Sequence, residues 1–157
     1  MKTLARIIAI TLCFSQHSVP HAAEVNTGSI GFYVDMSADQ QPAIVDSTAK
    51  ASVDLVLDKQ TLRLNWTIAF SDLTSAPIAL HIRNQKPGSR GPLIYDLTPK
   101  PPESFKSPMS GSVIMTEREL HLLLDRYLYV DLHTEKYPDG EVRGQIERGK
   151  RQAPRKQ

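Results

Sequence analysis

The chain is 157 residues long, 40% hydrophobic and 23% charged, with a formal net charge of +2 and a single cysteine. One cysteine excludes a disulfide-built scaffold, and a near-neutral balance excludes a broadly cationic nucleic-acid binder. The length fits one domain with a single core.

Lys2 and Arg6, an apolar run over residues 7–14 and small residues at Ala22 and Ala23 read as a secretory signal peptide, residues 1–23, cleaved after Ala23. The run is far shorter than the roughly 20 apolar residues needed to cross a bilayer, and no other stretch reads as a transmembrane span. Cleavage removes Cys13, so the exported domain must hold together by packing. Any metal it binds is then limited to histidine and carboxylate ligands. Residues 24–147 form the domain, with 12 basic against 17 acidic residues, a net of −5. Residues 148–157 add Arg148, Lys150, Arg151, Arg155 and Lys156 without an acid. This composition predicts a basic, disordered tail, open to weak contact with anionic surfaces.

Residues 24–30 read as a lead-in and residues 32–36 as the first strand, ended by Gln41-Pro42. In residues 50–58, Ala51, Val53, Leu55 and Leu57 share one face. Lys59-Gln60 links that strand to a second alternating run through Leu62, Leu64, Trp66, Ile68 and Phe70. Two period-2 runs so closely joined make a hairpin, although the link lacks the usual glycine or asparagine. Ile78, Leu80 and Ile82 give a fourth strand and residues 93–97 a fifth. Residues 98–109 form a loop, because Pro99, Pro101, Pro102 and Pro108 withhold donors from any ladder. Residues 113–115 are a short strand. Thr116 and Glu119 then have the spacing of a capping box, opening a helix with Leu120, Leu123 and Leu124 on one stripe.

The last hairpin carries the chemistry. Leu128, Val130 and Leu132 fix one face of its first strand, which puts Tyr127, Tyr129, Asp131 and His133 on the other. Pro138-Asp139-Gly140 makes the turn. Glu141, Arg143 and Gln145 then alternate with Val142, Gly144 and Ile146. The pattern predicts that this polar side faces outward. There Glu141 and Arg143 form an exposed ion pair with Asp131 across the hairpin, worth at most about 1 kcal/mol. His81 sits opposite Ile78, Leu80 and Ile82, beside Arg83. If its strand neighbours the hairpin, His81 and His133 converge with Asp131 or Glu141 as ligands suited to copper or zinc. The simpler account has each histidine bonded to a strand neighbour. Arg83 opposes a metal, since a guanidinium cannot ligate a cation. No Ser-His-Asp set is legible, and a non-enzymatic role is expected. Seven or so short strands argue for an all-β fold: an antiparallel β-sandwich, Greek-key-like, with one short helix before the C-terminal hairpin.

Leu128-Tyr-Val-Asp-Leu-His-Thr134, followed by Gly140-Glu-Val-Arg-Gly-Gln-Ile146, resembles the closing motif of the chordin-type (CHRD) domain. Ala79-Leu-His81-Ile-Arg83, with Gly88-Ser-Arg-Gly91-Pro92, is similar to the family's Ala-His-Ile-His segment and its Gly-Pro loop. Residues 116–124 resemble its short helix. The likeness spans roughly residues 31–147. Arg83 stands where the family usually has its second histidine, and Asp131 where it often has asparagine. The resemblance implies a β-sandwich and a binding or scaffold role. Animal chordins bind secreted growth factors, a role that a fold-level likeness does not transfer. The expected function is therefore an exported CHRD-domain binding or scaffold module, periplasmic or secreted. Its partner would be an exported protein or envelope component, with no nucleic acid involved. Asp131, His133, Glu141, Arg143 and Arg83 are the ligand-binding candidates. The alternative is a periplasmic copper- or zinc-binding protein using His81 and His133.

Overall fold

The computed structural model describes residues 28–150 of the chain. The expected signal peptide and residues 151–157 of the basic tail lie outside them. The described strands are β1 (Ser29–Ser37), β2 (Lys50–Asp58), β3 (Arg63–Ser71), β4 (Pro77–Asn84), β5 (Leu93–Asp96), β6 (Met109–Ile114), β7 (Leu128–Thr134), β8 (Val142–Gln145) and β9 (Glu147–Arg148). The helix α1 (Glu117–Leu124) precedes β7. All pairings are antiparallel, in the order β5-β4-β7-β8-β1-β2-β3-β6, with β9 beside β1. The fold is all-β, one nearly closed sheet wrapped around a single core.

Period-2 patterning explains the wall of this core. β2 and β3 pair Val53 with Ile68, Leu55 with Trp66 and Leu57 with Leu64, so six apolar side chains meet on one face. All six are buried, and full burial of a side chain of this size contributes about 2 kcal/mol. The β2–β3 link is longer than the two residues expected, because β3 begins at Arg63. Asp58 makes the turn without glycine. Its carboxylate accepts from the N–H of Gln60 at 2.8 Å and of Thr61 at 3.2 Å, and Leu62 takes the positive φ, 53°.

β6 runs from Met109 to Ile114, well beyond the three residues expected, because Ser110, Gly111 and Ser112 carry no apolar period. Its pairing with β3, Ile68 opposite Met109 through Arg63 opposite Ile114, defines it instead. α1 starts where the capping box places it: Thr116 Oγ1 accepts from Glu119 N, and the Glu119 carboxylate accepts from Thr116 N.

β4 and β7 are neighbours, with His81 opposite Asp131 and Ala79 opposite His133. β7 is buried at every position. Its Leu128, Val130 and Leu132 face the core. β8 crosses close to β1, where a Cβ on Gly144 would come within 2.5 Å of Asp35 O and of Val34 Cγ1. Only glycine permits that approach. Beyond β8, Arg148 of β9 pairs with Phe32, and Gly149 N–H donates to Gly31 O at 2.9 Å.

Candidate functional site

The polar side of the final hairpin does not face water. Asp131, His133, Glu141 and Arg143 are 1%, 5%, 0% and 2% exposed. The outward-facing ion pair expected there is replaced by a polar layer beneath two loops. Residues 84–92, between β4 and β5, fold back over β7 and β8. The Arg143 guanidinium donates from Nη1 to Ser89 O at 2.7 Å and from Nη2 to Lys86 O at 3.2 Å. Its carbon lies 3.5 Å from the centroid of the Tyr129 ring, a stacked cation in a dry setting. Tyr129 Oη accepts from Gly91 N at 3.2 Å, and Arg83 Nη1 donates to Gly91 O at 3.2 Å. Gln145 Nε2 reaches Gln85 O, Arg126 O and Leu128 O. Burial pushes the Arg143 guanidinium below its ordinary value, while Tyr129 and Asp131 act in the opposite direction.

Residues 41–49, between β1 and β2, cover the other side. Gln41 Nε2 donates to Asp131 Oδ1 at 2.8 Å, under Gly140 at the turn. Glu141 turns away from Arg143, and among the described residues no ion pair joins them. Its carboxylate accepts from Ser47 Oγ at 2.6 Å, Thr134 Oγ1 at 2.7 Å and Thr74 N at 3.0 Å. Burial pushes the Glu141 carboxyl upward, but these donors outweigh it and hold the group below its ordinary value.

His81 and His133 meet. Nδ1 of His81 is 3.0 Å from Nε2 of His133, with the rings edge-on at 62°. His133 Nδ1 lies 2.9 Å from Pro138 O. A carbonyl only accepts, so the proton assigned from this network sits on His133 Nδ1. Nε2 of His133 and Nδ1 of His81 then share one hydrogen bond, with Arg83 Nη2 also turned to His81 Nδ1. Asp131 Oδ2 stands 3.6 Å from His133 Nε2, and Asp96 Oδ1 stands 3.8 Å from His81 Nε2. Burial, then His133 and Arg83, push the His81 imidazole below its ordinary value, against Asp96 and Asp131.

The donor set does not fit copper or zinc. Arg83 Nη2 is 3.3 Å from His81 Nδ1, so a fixed cation stands at the nitrogen a metal would need. Among the described residues no group of three or more His, Cys, Asp or Glu side chains is placed to hold a metal ion. Each histidine is instead bonded to a neighbour within the layer.

Above this layer the residue 41–49 loop and the turn between β7 and β8 leave a cleft of about 360 Å³ lined by Pro42, Ile44, Val45, Lys136, Tyr137 and Pro138. Its walls are tied together. Tyr137 Oη donates to Asp46 O at 2.8 Å, and Arg90 donates to Asp139 Oδ1 at 2.7 Å and to Asp139 O at 2.6 Å. The Ile44 side chain is fully exposed, at 102%. Gln41, Ser47, Tyr137 and Arg90 escaped sequence reasoning because each acts across a long separation. The one legible signal was the apolar Ile44-Val45 pair in a stretch with no strand period.

The architecture and site define a class: an all-β domain whose polar sheet side is roofed by loops. A family model described as CHRD domain matches residues 16–146. The chain belongs to the CHRD domain family, and that membership supports a binding or scaffold module. No curated protein and no solved structure matches the chain significantly. Among the described residues no helix is long and apolar enough to cross a membrane.

Proposed function

We propose that the chain is an exported, non-enzymatic CHRD-type binding or scaffold module, periplasmic or secreted. It grips an exported protein or envelope component by the loop end above β7 and β8. The observation that carries this is Ile44, a large aliphatic side chain left wholly in solvent at the lip of a cleft with fixed walls. Exposed apolar groups rimmed by polar ones mark interaction surfaces, and loops held by a rigid scaffold carry recognition. In this reading Asp131, His133, Glu141, Arg143 and Arg83 hold the loops in shape and do not touch the ligand. Pre-set walls lower the entropy cost of binding.

A photo-crosslinking residue at position 44, compared with one at the exposed Ala69 on β3, tests the placement in the exporting host. One distinct protein adduct from position 44, absent from position 69, supports it. Identical adducts from both positions, or none from position 44, refute it. N-terminal sequencing of the exported protein checks the leader, with Glu24 as the expected first residue.

A further inference from the structure

Two strand edges face one another across a gap at the far end of the sheet order. β5 and β6 are the terminal strands, and Tyr95 Oη, which donates to the Glu119 carboxylate, also lies 3.2 Å from Ile114 O and bridges them. That contact indicates the polarity of β6. If the Ile114 carbonyl points away from β3, the backbone groups of Ser112 and Ser110 point the same way, because amides alternate along a strand. The N–H of Met115, donating to Leu62 O at 2.8 Å on the β3 side, gives the same alternation. Among the described residues no backbone group pairs with these outward amides.

An opening of about 440 Å³ lies beside this free edge, with Trp66, Pro101, Pro102, Met109 and Gly111 in its wall. Trp66 is 6% exposed, and its Nε1 is buried with no hydrogen-bond partner. The indole lies across Gly111. A Cβ there would come within 2.4 Å of Cζ2 and 2.9 Å of Cε2, the carbon bonded to Nε1. The bare glycine therefore lets the ring lie close against β6 at the wall of the opening. A buried donor left unmet bears its full desolvation penalty. The wall also holds Asp96 and Glu103 against Lys100, an excess of one acid.

We propose that this opening accepts one extended peptide segment of a partner protein, added as a strand to the free edge of β6. The segment is apolar on its inward side, with one inward hydrogen-bond acceptor for Trp66 Nε1, and it carries a basic residue complementary to Asp96 and Glu103. Main-chain bonds to Ser110 and Ser112 supply affinity, and the inward side chains supply selection. Strand addition here covers an edge that is otherwise a liability. The site is separate from the loop end above β7 and β8.

Trp66 is the only tryptophan, so its emission reports on this opening alone. The probe is a peptide copying Arg63–Ser71, with threonine in place of its tryptophan. That strand already pairs with β6 on its other edge, and its arginine supplies the positive charge. The expected result is a saturable emission shift with the probe, absent when its alternate amides are N-methylated. Ser112→Pro removes an outward N–H that β3 does not use, so the variant folds and weakens the probe tenfold or more. If that variant fails to fold, the N-methylated probe decides. No shift at millimolar probe, or an equal shift with the methylated peptide, overturns the proposal. An emission change that follows protein concentration without probe assigns the edge to a second copy and also overturns it.

Discussion

Arg143→Ala separates a buried clamp from a surface ion pair. The guanidinium is 2% exposed, donates to two loop carbonyls and stacks on Tyr129. Hydrogen bonds from a charged donor contribute about 1.5–3 kcal/mol each, and a desolvated cation over an aromatic face about 2 kcal/mol. Removing the guanidinium also relieves its own burial cost, so these terms do not add in full. The net loss expected is about 3–5 kcal/mol, the range seen when one member of a buried charged set is deleted. For a domain of this size that lowers Tm by roughly 10–20 °C. An exposed Glu141–Arg143 pair would lose at most about 1 kcal/mol. Urea unfolding at pH 7 measures the total, and hydrogen exchange of residues 84–92 locates it, since the amides of that loop should lose protection first. A double-mutant cycle adds a check: coupling of Arg143 to Glu141 should stay within about 0.5 kcal/mol, as expected for residues without shared partners. A loss below about 1 kcal/mol, with loop protection unchanged, would refute the clamp.

Glu141→Gln should blunt the acid sensitivity of the fold. The carboxyl is held below its ordinary value, so its contribution is present above the unfolded value and is lost as pH falls through the folded one; stability curves from pH 6 to pH 2 read the difference. His81 should titrate below the ordinary imidazole value, by NMR of its ring. A depressed histidine contributes stability that is complete above its unfolded value and is lost on acidification, and Arg83→Gln should move the titration up. Gly140→Ala combines a φ of +118° with a Cβ 2.4 Å from Asp131 Oδ1 and 2.5 Å from Gln41 Nε2. It should cost about 2 kcal/mol or more, measured by thermal unfolding, with the residue 41–49 loop losing exchange protection.

Much of the wall was legible because the physics behind it is local. The hairpin of β2 and β3 follows from Leu55 and Trp66 alternating with polar neighbours, and the start of α1 from the reach of one hydroxyl and one carboxylate. β6 reads too short in the sequence because Ser110, Gly111 and Ser112 announce nothing by themselves. They become a strand only because β3 offers its second edge. The turn before β3 hid for a related reason: Asp58 does by hydrogen bonding what glycine usually does by freedom of φ.

The polar side of β7 misled in a more instructive way. A period-2 pattern says which side chains share a face, and Tyr129, Asp131, His133, Arg143 and Gln145 do share one. It does not say what lies against that face. Water and a well-folded loop both offer carbonyls and donors, so the same polar residues satisfy either. The difference lies in Gln41, Lys86, Ser89 and Gly91, whose main chains and amides arrive from far along the sequence. A guanidinium that finds two carbonyls and an aromatic ring inside the protein has little left for a ligand. The recognition surface proposed above lies elsewhere, on the residue 41–49 loop and the β7–β8 turn, where Ile44 and Tyr137 line the cleft.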